Sequence, residues 1–183
     1  MLLKGWSVSG ITIFQSGTPF SVTDSAAGTG FLGAGFTPST LSGSLAPGST
    51  LASAVTSGSI QSRISGYLNP NAFAPAPLLY PSQCDPKTNP NFCTTDFGNL
   101  GRNVFRGPFQ QNWDFSLIKD FNLTERQSLR FTTDFFNMWN HANFSNPSVN
   151  DVETIGVPNS PFGKITSTVG TPRLIQFSLR YAF

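Results

Sequence analysis

Few residues in this sequence could do chemistry, and their surroundings decide what kind. His141 is the sole histidine. It stands between Asn140 and Asn143 and reads as a loop residue rather than a general base. Serine is abundant, but none sits in the Gly-x-Ser-x-Gly elbow that raises a nucleophile above a sheet. Asp114 and Asp134 could face each other across a hairpin as a pair of carboxylates, yet no substrate cleft is definable around them. They read better as polar residues lining an interior, with Arg130 as an ion-pair partner. The glycines from Gly28 to Gly35 lack the Lys and helix that a phosphate loop requires. Cys84 and Cys93 lie in a Pro/Asn-rich stretch. They are either two free thiols or a local disulfide, and the second needs an oxidising compartment. A zinc site would have only His141 to add to them. The expectation is a protein without catalytic residues, metal or cofactor, and not an enzyme.

The composition narrows the class. Charged residues make up 11% of the 183 residues, against about 25% in ordinary soluble domains. Hydrophobic residues reach only 38%, so Ser, Thr, Asn, Gly, Pro and 18 Phe fill the difference. A long helix bundle needs Ala, Glu, Lys and Leu instead. A nucleic-acid partner is not expected, because the net charge is +2 and no basic run exists. The longest nearly apolar stretch, Ala72 to Leu79, is far too short for a membrane helix and is broken by two prolines. Aromatic residues at 13% argue against charge-rich disorder. Met1-Leu2-Leu3-Lys4 is followed by no apolar leader segment. The chain is therefore expected to be cytoplasmic, or Met1 is an internal start.

The elements that must hold these residues are strands. Gly5 to Thr23 is uncharged and rich in β-branched and aromatic residues. Trp6 and Val8 share one parity and Ile11 and Ile13 the other, which predicts a bulge or kink near Gly10. From Asp24 to Ser65 no period persists. Those 42 residues hold seven Gly, ten Ser and two charges, and a Pro-rich stretch from Asn69 to Asn91 continues them. This predicts a long irregular loop. Trp113, Phe115 and Leu117 alternate with Asp114 and Ser116. After a short polar turn, Leu129, Phe131, Thr133 and Phe135 alternate with Arg130, Thr132 and Asp134, which predicts a hairpin. Asn140 to Pro172 is again irregular, with a short strand expected at Lys164 to Val169. In the last segment Ile175, Phe177, Leu179, Tyr181 and Phe183 share one face, and Leu174, Gln176, Ser178, Arg180 and Ala182 the other.

Strand length separates two all-β readings. The usual strand in soluble proteins has about five or six residues. A strand crossing a bilayer needs about 9–11. The segments 111–121, 127–138 and 173–183 have that length, with the N-terminal stretch near 6–23 as a fourth. Trp113, Phe121, Tyr181 and Phe183 stand at segment ends, where interfacial aromatics belong. Neither Arg130 nor Arg180 breaks parity with its polar neighbours, which spares the cost of about 2–4 kcal/mol for a cation facing mid-bilayer lipid. The expected fold is an antiparallel transmembrane β-barrel segment with long connections near 24–110 and 139–172. The alternatives are a soluble secreted β-sandwich binding module, or an outer-membrane barrel of another kind, a porin or adhesin.

Arg102 to Phe183 resembles the end of TonB-dependent outer-membrane receptors, in particular the Oar-like group with a carboxypeptidase-regulatory-like domain. The matching pieces are Asn103-Val104-Phe105-Arg106-Gly107-Pro108, the strand around Trp113-Asp114-Phe115-Ser116-Leu117, Phe135-Phe136-Asn137-Met138-Trp139-Asn140, and Lys164 to Phe183. Gly5-Trp6-Ser7-Val8-Ser9-Gly10 and Ser16-Gly17-Thr18-Pro19-Phe20 resemble that group's preceding strand. The resemblance implies the C-terminal portion of a large plugged barrel that takes up a large ligand such as a siderophore or oligosaccharide. Its partners would be outer-membrane lipid, the missing strands and plug, TonB through them, and the barrel-assembly machinery. It further implies a C-terminus at the periplasmic side and both long connections outside the cell. Cys84 and Cys93 are then expected to pair. Asp114, Arg130, Asp134 and Arg180 would line the lumen, and Phe177, Leu179, Tyr181 and Phe183 would form an assembly signal.

Overall fold

The computed structural model describes residues 3–32 and 41–183, so part of the Gly28 to Gly35 stretch and Met1 lie outside the described residues. The chain divides into two compact units, one of residues 1–16, 109–144 and 168–183, the other of residues 17–108 and 145–167.

The first unit is a four-stranded antiparallel sheet. Its strands are β1 (Trp6–Gln15), β2 (Gln110–Asn122), β3 (Ser128–Phe136) and β4 (Leu174–Ala182), neighbours in that order. The runs of Val, Ile, Thr, Phe, Tyr and Trp favour a pleated backbone. Residues Leu123 to Gln127 connect β2 to β3, closed by Leu123 N–H donating to the Gln127 carbonyl at 2.9 Å. That short turn fixes the register, with Asn122 opposite Ser128 and Phe115 opposite Phe135. The β3 strand stops at Asn137, whose φ of 50° lies in the left-handed region that Asn tolerates. Its side chain then ties the corner. The Asn137 amide donates to the carbonyls of His141 and Thr171 at 3.0 and 3.1 Å, and its oxygen accepts from His141 N–H at 2.9 Å. A two-residue ladder pairs Asn143–Phe144 with Thr168–Val169, the part of the expected Lys164 to Val169 strand that forms in this unit.

The expected kink at Gly10 is absent. β1 pairs with β2 without interruption from Trp6 opposite Lys119 to Gln15 opposite Gln110. Gly10 instead makes room for its neighbour, since a Cβ there would stand 3.0 Å from the Asp114 carbonyl oxygen and 3.5 Å from the Phe115 ring. The parity change of the isoleucines is real but leaves the backbone regular, so Ile11 and Ile13 face the polar side. Regular pairing of the N-terminal stretch ends at Gln15 rather than near residue 23. At Gly17 a Cβ would fall 1.8 Å from the Gly107 carbonyl oxygen, and only glycine permits that approach.

The second unit reverses the first. It has little regular structure beyond two-residue ladders such as Pro19–Phe20 with Phe105–Arg106 and Ser44–Leu45 with Phe73–Ala74. Yet it has a core. Val22, Leu68, Phe73, Phe105, Val152 and Phe162 are buried, and Phe73 meets the Phe105 and Phe162 rings edge-on at 5.8 and 5.3 Å. The stretches read as irregular loops therefore pack as a body. Fully buried Asp24 joins them, accepting from Ala26 N–H at 2.8 Å and from Ala76 N–H at 2.7 Å. Asp151 accepts from the Ser25 hydroxyl at 2.6 Å and links the 17–108 and 145–167 segments.

Candidate functional site

The functional surface of the sheet follows from its register. Cross-strand partners share a face. Val8, Leu117, Thr133 and Phe177 form one row, and Phe131 with Leu179 belongs to the same side. The opposite side carries Asp114 with Ile11, Ser116 with Asp134, and Asp120 with Arg130, which in turn faces Arg180. So the four proposed interior residues, Asp114, Arg130, Asp134 and Arg180, share the polar face. The four terminal-strand residues, Phe177, Leu179, Tyr181 and Phe183, share the apolar one.

The apolar face is uncovered. Every residue of β1 and β4 is exposed, with Phe177 at 65%, Leu179 at 67% and Phe183 at 92%. A soluble sandwich would bury such a face against a second layer. Aromatic rings gather at both ends of the strands. Phe14 meets Trp113 edge-on at 5.6 Å and stacks on Phe109 at 6.2 Å at one end. At the other end Tyr181 stacks on Phe183 at 5.7 Å, near Trp6 and Phe121. These are the two girdles of a membrane strand set, and the band between them is aliphatic and phenyl. The thirteen residues of β2 cover about 30 Å of height at a tilt near 40°.

One cation lies on the apolar face, and the alternation of the sequence alone did not single it out. Lys119 is 3% exposed. Its ammonium stands 4.9 Å from the Trp6 ring centre and 5.2 Å from that of Phe121, and it donates to the Lys4 carbonyl. Cation–π attraction and the carbonyl compensate its burial. Its place in the girdle, not mid-band, keeps the lipid cost near 0–1 kcal/mol on the scale of barrel strands. The signal was available in the sequence, since Lys119 is a charge at the parity of Trp113, Phe115 and Leu117.

On the polar face the expected ion pair takes a different partner. Arg130 binds Asp120, not Asp114 or Asp134, through Nε to Oδ1 at 2.7 Å and Nη2 to Oδ2 at 3.1 Å. The register puts Asp120 directly opposite it. Asp134 accepts from the Ser116 hydroxyl. Asp114 accepts from the Asn112 amide and from Asn137 N–H, both at 2.9 Å. Asp114 and Asp134 are thus engaged separately rather than with each other. Arg180 has no ion-pair partner among the described residues.

In the second unit Cys84 and Cys93 are joined as a disulfide, with Cα atoms 4.6 Å apart. Within the closed loop the Thr88 hydroxyl and Lys87 N–H donate to Asp85 and hold its carboxyl below the usual range. Burial, helped by nearby Asp24 and Asp151, pushes the Glu153 carboxyl up. Among the described residues no group of three or more His, Cys, Asp or Glu is placed to hold a metal ion.

The family comparison agrees with this two-faced sheet. No curated protein and no solved structure matches the chain. Residues 1–176 match the family described as the outer membrane beta barrel domain, which covers all of β1, β2 and β3 and the start of β4. The chain belongs to the outer membrane beta barrel domain family, and its strands are outer-membrane strands.

Proposed function

We propose that this chain forms part of the wall of a TonB-dependent receptor for a large ligand, near the C-terminal end of its barrel. The carrying observation is the pattern of connections on a sheet with one lipid-type face. The chain leaves the sheet by long segments after Gln15 and after Phe136, both at one end, while a five-residue turn joins β2 to β3 at the other. Outer-membrane barrels have short periplasmic turns and long outer loops. The long segments are then extracellular and the C-terminus periplasmic. The edges of β1 and β4 are unpaired within this sheet, and open edges are not tolerated in lipid, so further strands complete the barrel, around the plug that the receptor reading adds. The polar face with Asp114, Asp134, Arg130 and Arg180 lines the lumen. The unpaired edge of β4 and its apolar row serve as the signal recognised by the assembly machinery, which pairs with free edges.

Two measurements test this reading. In intact cells a membrane-impermeant label should reach a cysteine introduced at Ser57 and fail to reach one at Glu125. Labelling at Glu125 but not Ser57 would reverse the orientation. Uptake through the complete protein should stop when the TonB coupling protein is removed. Uptake that continues would make it a passive pore instead.

A further inference from the structure

We propose that the cavity at the outer end of the polar face binds a neutral carbohydrate. This rests on the reading of that face as the lumen wall of a receptor, and chooses the oligosaccharide over the siderophore. The cavity measures about 490 Å³ and lies within the sheet unit, where β2 begins, β3 ends and β4 begins. That volume is in the ordinary range for ligand sites, about 300–1,000 Å³.

Part of its wall is fixed by hydrogen bonds between lining residues and their neighbours. Asn143 bonds to both backbone groups of Gln111, each at 2.9 Å. Asn137 is fully engaged in its corner, as described above, and Asn112 holds one oxygen of Asp114. Five groups are left over. The side-chain amides of Gln110 and Gln176, the Thr171 hydroxyl, the Asn112 side-chain oxygen and the second carboxylate oxygen of Asp114 have no hydrogen-bond partner among the described residues. Beside them Phe136 and Leu174 present exposed apolar surface.

Charge and shape then select the ligand. None of the lining residues is cationic, and the one charge is a carboxylate. An anionic ligand, such as a ferric catecholate or a phosphate ester, would meet Asp114 with nothing to neutralise it. A sugar ring offers hydroxyl donors to the carboxylate and paired hydroxyls to the amides, and its C–H face can lie on Phe136. A peptide would need an open backbone ladder, and the adjoining backbone groups are already used, by Asn143 at Gln111 and by Met138 N–H at the Trp113 carbonyl.

The test is a glycan array probed with the complete receptor, folded in detergent. The array carries neutral glucan, mannan and xylan oligosaccharides beside acidic oligogalacturonides. Binding is expected to the neutral set alone. Gln176→Ala and Phe136→Leu should each weaken it at least about tenfold, with surface level and heat-modifiable mobility unchanged. Binding to no glycan, or preference for the acidic set, overturns the proposal. So does neutral binding that both substitutions leave intact. TonB-dependent uptake of an anionic ligand would overturn it while leaving the receptor reading in place. Glycan binding lost in both variants, in a protein whose uptake ignores TonB, would do the reverse.

Discussion

The two units of this chain divide between them what most domains combine. The sheet unit has long regular strands and, among its described residues, no buried apolar layer. The unit of residues 17–108 and 145–167 has a buried layer and almost no regular strands. Solvent explains the contrast. In lipid no water is present to bond a stray N–H or C=O, so the backbone must satisfy itself completely, while side chains face a medium as apolar as they are. In water the backbone can bond side chains and solvent, while the apolar side chains must cluster. Asp24, Asp151 and Asn69 do for the second unit what the ladder does for the first.

Substitutions can sharpen that contrast, and the largest effect is expected on the lipid side. Phe177→Arg puts a cation mid-strand on the apolar face and should cost about 2–4 kcal/mol, beyond the loss of its stack on Phe131. Ser178→Gln, one residue away on the polar face, should stay within about 0.5 kcal/mol. Denaturant unfolding in detergent reads both, and equal costs would abolish the distinction between the faces.

Asp24→Asn attacks the other unit. It leaves at least one buried N–H without its carboxylate and should destabilise that unit by about 2–4 kcal/mol. Limited proteolysis should then cut residues 17–108 at lower urea, while the heat-modifiable mobility of the barrel is unchanged. Loss of both together would make them one cooperative body. Cys84→Ser with Cys93→Ser releases a short loop and should cost about 2–3 kcal/mol, confined to the same unit.

The smallest effect is a pH dependence. The folded unit holds the Glu153 proton more tightly than the unfolded chain does. Its contribution is therefore full below the ordinary glutamate value, about 4.3, and is lost as pH rises through the raised folded value. Asp85 works in the opposite sense. Its lowered carboxyl contributes above the ordinary aspartate value and loses that contribution in acid. Glu153→Gln should remove the upper of these two dependences in a proteolysis series across pH, and an unchanged profile would show that Glu153 is not its source.

Much of the sheet was legible because period-2 alternation is a local property. Phe177, Leu179 and Tyr181 announce their face within one segment. Lys119 was legible as a charge at an apolar position beside Phe121, but its second ring, Trp6, comes from the far end of the sequence and only pairing brings it opposite. The partner of Arg130 depended on register, which the turn from Leu123 to Gln127 decides and composition does not. The core of the second unit was hidden for a different reason. Val22, Leu68 and Val152 come from three separate stretches with no common period, so no window of sequence contains their association. The cavity beside Gln176 was hidden likewise, since its wall draws on β2, β3, β4 and the Asn143 ladder at once.

Lys119 also acts as a depth mark. A cation on a lipid-facing surface costs more the nearer it comes to the bilayer centre, so moving the sheet inward from that side meets steadily rising resistance. Trp6 and Phe121 resist the opposite movement, because their rings prefer the headgroup boundary to open water. The sheet is thereby moored at one height. Every strand that joins its edges inherits that height through the hydrogen-bond ladder, so one lysine sets the waterline for its neighbours.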